Sequence, residues 1–285
     1  MPKIRTLKAF FSIIRPINCI MIGIGILIGE IVVAKFNLPL YKSIFAFFTG
    51  FFLTGAAMVL NDYIDLPVDR INAPNRPLPA GIIHPKVALA YYIILGFLGI
   101  LFSSFIGLLN LVIAIAYFIL SSLYDIYLKR TGLLGNFIVS SSVAIPFVFG
   151  AVVIENTISP LIMIFFTVAF LANTGREIIK GIADIEGDRL KNYNTVAVKY
   201  GPKIAAKLAA FFIIAAIILS PLPYILRYAG ITYLIIVAIS DLVFIKALVI
   251  ILKDSSKDQA LKSKKMILLA MFIALISFFT ISFLP

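Results

Sequence analysis

The sequence predicts an all-α, multi-pass membrane bundle of nine transmembrane helices with cytoplasmic active-site loops. Three observations predict it. Of the 285 residues, 62% are hydrophobic and 13% charged, with mean hydropathy +1.09, more apolar surface than a soluble domain of this length can hide. Nine stretches reach the roughly 20 apolar residues needed to cross a bilayer. Of the 25 Lys and Arg residues, 22 fall in alternate connections between those stretches.

Taken in order, the spans are predicted over 16–34, 41–61, 86–107, 109–127, 134–154, 158–180, 204–222, 229–252 and 265–284. Turn chemistry separates them: Asn37-Leu38-Pro39, Gly107 to Asn110, Gly132, Ser159-Pro160, Gly201-Pro202 and Pro221-Leu222-Pro223. The first apolar run is too long for a signal peptide and lacks a small-residue cleavage site, so it is read as a retained span. The basic connections belong inside the cell, which places the N-terminus in the cytoplasm and the C-terminus outside the cell membrane. The net charge of +12 is then a topology signal plus attraction to anionic lipid, and requires no nucleic acid. The single Cys19 excludes an intrachain disulfide and reads as a small buried hydrophobe. Residues 1–285 read as one membrane-embedded domain, two four-helix halves followed by a ninth helix.

Charge is expensive beside a bilayer, so two acidic clusters carry the functional signal. The first, Asn61-Asp62-Tyr63-Ile64-Asp65-Leu66-Pro67-Val68-Asp69, follows the second span. If that helix continues, Asp62, Asp65 and Asp69 fall at i, i+3 and i+7 on one face; Pro67 predicts a kink there. Like charges stacked so closely repel unless a divalent cation sits between them, and hard oxygen ligands suit Mg2+. The second, Asp184-Ile185-Glu186-Gly187-Asp188, ends the sixth span, with Glu177, Lys180, Asp184 and Asp188 on one predicted helical face and Arg176 alongside.

Cations gather on the same side. Asn75-Arg76-Pro77-Leu78-Pro79 is a proline-bracketed loop that presents one arginine to phosphate. Tyr124-Asp125-Ile126-Tyr127-Leu128-Lys129-Arg130 and Arg15-Pro16-Ile17-Asn18 supply further basic residues, which read equally as positive-inside anchors. His84, the only histidine, reads as a surface residue and can build neither a zinc site nor a triad. Glu30 is expected to snorkel to the far interface, and the lysine run from Lys253 to Lys265 to form a lipid-facing basic loop.

The strings NDYIDLPVDRINAPNRPLPAG (61–81) and REIIKGIADIEGDRLKNYNTVAVKYG (176–201) resemble the two signature regions of the UbiA superfamily of intramembrane prenyltransferases, and LYDIYLKRTGLLGN (123–136) resembles its third recognisable stretch. Within that superfamily they are similar to the archaeal digeranylgeranylglyceryl phosphate synthases, from which the chain departs at Gly181 and Ala183, where those enzymes commonly carry Asp and Glu. The resemblance implies Mg2+ bound by Asp62, Asp65, Asp69, Asp184 and Asp188, and transfer of a geranylgeranyl group from geranylgeranyl diphosphate to the free hydroxyl of geranylgeranylglyceryl phosphate. Lys180, Arg76 and Lys129 would neutralise the departing diphosphate. Asn18, Asn61, Tyr124, Asn136 and Glu177 would line the substrate site, with Arg15, Arg130 and Arg176 as cations for the acceptor's phosphate. An aromatic acceptor, as in quinone- or chlorophyll-pathway relatives, is the rival within the class. An ion-coupled transporter is the rival outside it, disfavoured because the ionisable residues gather at one face and not at the midplane.

Overall fold

A computed structural model describes residues 2–283. The side chains of Lys3 and Arg5, and residue 284 at the predicted end of the ninth span, lie outside the described residues. The described residues form α-helices joined by short connections, nine of them long and apolar enough to cross a membrane. The chain is an integral, multi-pass membrane protein.

The spans are α2 (Pro16–Ala34), α3 (Leu40–Ile64), α5 (Pro85–Ser104), α6 (Leu108–Ile126), α7 (Leu133–Ile154), α8 (Pro160–Ala183), α11 (Pro202–Leu219), α13 (Ile231–Lys253) and α14 (Lys257–Thr280). Shorter helices are α1 (Pro2–Ile13), α4 (Leu66–Asn72), α9 (Ile185–Leu190), α10 (Val196–Tyr200) and α12 (Leu222–Ile225). Prolines open α2, α5, α8 and α11, where a missing N–H is harmless and the fixed φ suits the first turn. His84 is exposed, as expected, and caps α5: its Nδ1 accepts from the Lys86 N–H at 3.2 Å.

The first half packs as α2 on α3 and α3 on α5, and the second repeats this as α7 on α8 and α8 on α11. Helix α7 joins the halves by packing on both α2 and α8. Gly29 and Gly150 make that junction close, since a Cβ at Gly29 would overlap the Phe147 carbonyl oxygen and one at Gly150 the Ile26 carbonyl oxygen. The same approach seals Glu30 inside. Its predicted snorkelling is corrected: Glu30 is fully buried.

The basic loop expected up to Lys265 is also corrected, because α14 begins at Lys257. The Asp254 carboxylate accepts from the Ser256 N–H and hydroxyl, which fixes the turn before the helix. Asp258 then stands in the first turn, where an acid favours the helix dipole. Ala260, Ser263 and Ile267 follow as a buried stripe at helical spacing, so packing holds the lysine-rich segment in helix.

Candidate active site

Both acidic clusters lie at one end of the bundle, and each is built around a broken helix. Helix α3 stops at Ile64 and α4 restarts at Leu66, leaving Asp65 (φ −79°, ψ 0°) between them. Helix α8 stops at Ala183 and α9 restarts at Ile185, leaving Asp184 (φ −102°, ψ 7°) in the equivalent place. The expectation of one continuous helical face at each cluster is therefore corrected. Pro67 cannot prolong α3 but fits the first turn of α4. Gly181 and Gly187, both poor helix formers, flank the second break. One turn survives at each: the Asp65 carbonyl accepts from the Asp69 N–H and the Asp184 carbonyl from the Asp188 N–H, both at 2.9 Å.

The first cluster is buried and neutralised by cations from four different segments. Arg15 Nη2 lies 2.6 Å from Asp62 Oδ1, and Arg76 Nη1 lies 2.6 Å from Asp69 Oδ2 and 3.7 Å from Asp62 Oδ1. Lys129 Nζ meets one oxygen of Asp65, and Lys191 Nζ stands 3.5 Å from the other. Burying carboxylates is stabilising only with such partners. Arg15 reaches Asp62 from a left-handed backbone (φ 51°) between α1 and α2, a conformation that costs an L residue about 1–2 kcal/mol. Gly132 (φ 67°) brings the Lys129 turn against the loop after α9: a Cβ there would stand 2.6 Å from the Asn194 carbonyl oxygen, and Asn194 N–H donates to the Arg130 carbonyl at 3.1 Å.

The second cluster is open. Asp184 is exposed and Asp188 half-buried, and among the described residues neither is ion-paired. Burial pushes the Asp188 carboxyl above the usual aspartate range, and the neighbouring Asp184 charge acts in the same direction. Buried Glu177 accepts from Arg176 Nη1 at 2.9 Å and from Lys180 Nζ at 3.1 Å, so two cations expected for substrate are held on one carboxylate.

Lys191 joins the clusters by carrying the loop after α9 onto Asp65. They face a cavity of about 1550 Å³, larger than the roughly 300–1,000 Å³ of most ligand sites. Its polar end is lined by Arg15, Asn18, Asn61, Asp65, Asp69, Arg76, Tyr124, Lys129, Asn136, Arg176, Glu177, Lys180, Asp184 and Asp188; its apolar walls come from α2, α6, α7 and α14. Asp62 stands behind Arg15 and Arg76, off the cavity wall, and the exposed Arg130 also lies outside it. Sequence reasoning missed Asp125, Lys191, Tyr193, Lys257 and Lys265, all on the cavity wall. Asp125 had a readable signal: it is an acid within an apolar span, and it accepts from Asn61 Nδ2 at 2.9 Å.

The model of the UbiA prenyltransferase family matches residues 22–276, most of the chain. The chain belongs to the UbiA prenyltransferase family. This prenyltransferase is 39% identical over 272 residues to the digeranylgeranylglyceryl phosphate synthase of Methanocaldococcus jannaschii, covering 95% of both chains. It is 34% identical over 284 residues to that of Methanosarcina mazei, covering 95% of this chain and 97% of the other. A solved structure concerned with digeranylgeranylglyceryl phosphate synthase in membranes superposes with a TM-score of 0.84 at 37% identity, covering 98% of this chain and 100% of that one. A UbiA homologue from Archaeoglobus fulgidus, itself bound to DMAPP and Mg2+, shares the fold at 16% identity and a TM-score of 0.65, over 94% of this chain and 86% of that one.

The residues fit the metal that such relatives hold. The carboxylates at the polar end offer oxygen donors, with Cys19 buried elsewhere and His84 capping α5, and oxygen donors suit Mg2+. Among the described residues no three acidic side chains converge in a ready-made cage; ammonium and guanidinium groups balance the first cluster instead.

Proposed function

We propose that this prenyltransferase moves a geranylgeranyl group from geranylgeranyl diphosphate to the free hydroxyl of geranylgeranylglyceryl phosphate, forming the second ether bond of an archaeal membrane lipid. The observation that carries the reading is the likeness to curated synthases along nearly the whole of both chains. The joined acidic clusters at the head of a large, mostly apolar cavity support it. On this reading one domain does the work, with the N-terminus and the site on the cytoplasmic side and the C-terminus outside.

Asp65, Asp69, Asp184 and Asp188, with Asp62 behind them, are the residues that would hold Mg2+. Bound there, Mg2+ supplies positive charge that fixes the diphosphate and favours its departure. The chain's own cations act beside it: Arg76, Lys129 and Lys191 stand at the first cluster and Lys180 at the second, each able to turn from its carboxylate to a phosphate oxygen. The apolar walls hold the prenyl chains and exclude water, so that the allylic carbon released by diphosphate meets the acceptor hydroxyl and not solvent. The C1–O bond to diphosphate breaks, the ether C–O bond forms, and the hydroxyl proton is released.

The test is to incubate purified protein in lipid with geranylgeranyl diphosphate and either geranylgeranylglyceryl phosphate or an aromatic acid, with and without Mg2+. The diether product formed only with Mg2+ supports the reading. Product from the aromatic acceptor alone would move the assignment to a quinone-type reaction.

A further inference from the structure

Lys265 differs from the other cations of the cavity wall. Arg15, Arg76, Lys129 and Lys191 are held by the first cluster, Arg176 and Lys180 by Glu177, and Lys257 by Glu186. Lys265 lines the same cavity, and among the described residues it has no carboxylate within ion-pair distance. Leu268, Leu269, Phe272 and Leu275 follow it at helical spacing and line the cavity too. Lys265 is exposed, and an unpaired ammonium at the head of an apolar stripe is the shape that receives an anionic lipid.

A second cation lines the same cavity at matching depth. The Lys257–Glu186 pair, 3.0 Å, sets the first residue of α14 beside α9, which directly follows α8. Arg176 lies seven residues back from Ala183 and Lys265 eight residues on from Lys257, so both sit about 10–12 Å into the bundle. Helices α8 and α14 pack together. Arg176 spends Nη1 on Glu177, while its Nε is buried and among the described residues has no hydrogen-bond partner, an unmet donor on a residue of the cavity wall.

We infer that Lys265 and Arg176 form a phosphomonoester subsite that holds the acceptor lipid's phosphate, separate from the cations that meet the diphosphate. This deepens the function proposed above and rests on it. A phosphate monoester carries about 1.5–2 negative charges and three acceptor oxygens, which matches one ammonium plus the free edge of one guanidinium. The acceptor's apolar chain then runs along Leu268 and Phe272, and its glycerol hydroxyl points toward the two acidic clusters. Of the three arginines expected to bind this phosphate, Arg15 is committed to Asp62 and Arg130 lies outside the cavity, leaving Arg176.

The test compares geranylgeranylglyceryl phosphate with geranylgeranylglycerol, which lacks the phosphate, as acceptors for the full-length wild type, Lys265→Gln, Lys265→Arg and Lys262→Gln. Lys262 is exposed like Lys265 but lies off the cavity wall, so its variant is the control. Lys265→Gln should raise the KM for the phosphorylated acceptor about ten-fold or more. It should leave the donor KM and the rate on geranylgeranylglycerol within about two-fold, so that the preference for the phosphate shrinks by the same ten-fold factor. Lys265→Arg should restore most of that preference, and Lys262→Gln should behave as wild type. If Lys265→Gln weakens both acceptors equally, or raises the donor KM, the subsite is overturned while the functional reading stands. If wild type transfers nothing to the phosphorylated acceptor, the functional reading falls and the subsite with it.

Discussion

Replacing Lys191 by Met separates the structural and substrate-binding roles of the link between the clusters. Lys191 Nζ is 3.5 Å from Asp65 Oδ1, which in a medium of effective dielectric about 20 corresponds to about 5 kcal/mol of Coulomb attraction. Most of that is offset. The two side chains are 20% and 11% exposed, Asp65 keeps Lys129, and ordering a lysine costs entropy, so the net loss of stability should be about 1 kcal/mol. The effect on the donor should be larger. If the ammonium turns to a phosphate oxygen on binding, losing that charge-assisted bond costs about 1.5–3 kcal/mol, about a 10–100-fold rise in KM for geranylgeranyl diphosphate. Steady-state kinetics with each substrate varied, alongside thermal unfolding in detergent, measure both. A donor KM within two-fold of wild type would refute the assignment of Lys191 to the diphosphate. A stability loss well above 2 kcal/mol would show that the link mainly holds the fold.

Three further outcomes follow from particular contacts. Arg15→Gly relieves the left-handed backbone, worth about 1–2 kcal/mol, but leaves Asp62 with only Arg76 at 3.7 Å; stranding a buried carboxylate costs about 3–5 kcal/mol, less here because Arg15 is 35% exposed, so thermal unfolding should show a net loss of about 1 kcal/mol. Gly150→Ala places a Cβ against the Ile26 carbonyl oxygen and should destabilise the α2–α7 junction by about 1–3 kcal/mol in the same measurement. The raised Asp188 carboxyl holds its proton more tightly in the folded than in the unfolded chain. Its contribution to stability therefore falls as pH rises from the ordinary aspartate range through its folded value, whereas Mg2+ affinity rises across that window. Mg2+ titrations of turnover at successive pH values upward from the ordinary aspartate range, about pH 4, should show this rise in affinity in wild type, and Asp188→Asn should flatten it.

Much of this site is legible in the sequence because charge is so sparse in the chain. Carboxylates at the ends of apolar spans have few structural explanations, and Asp65, Asp69, Asp184 and Asp188 do line one cavity. The helix breaks were less legible. Spacing alone assumes a continuous helix, and although Pro67 announced the first break, the second lies between two glycines with no proline to mark it. Lys191 carries only a topology signal in the sequence and Lys265 only the end of a lysine run that suggests a lipid-facing loop, since nothing in a one-dimensional sequence distinguishes a lysine facing lipid headgroups from one turned inward onto Asp65 or onto a cavity wall. Glu30 shows the same limit: its place near a helix end suggested an interface, and the close packing permitted by Gly150 decides its burial.

The central claim is that the two acidic clusters act as one Mg2+–diphosphate site, and binding of a non-reactive thiolodiphosphate analogue of the donor tests it most directly. Calorimetric titration with Mg2+ of the wild type, Asp69→Asn, Asp184→Asn and the double variant gives the answer. One shared site predicts that either single substitution removes most of the Mg2+-dependent affinity and that the double variant loses little more. If each single variant keeps substantial Mg2+-dependent binding and the two losses add in full, the clusters are independent and the claim is contradicted.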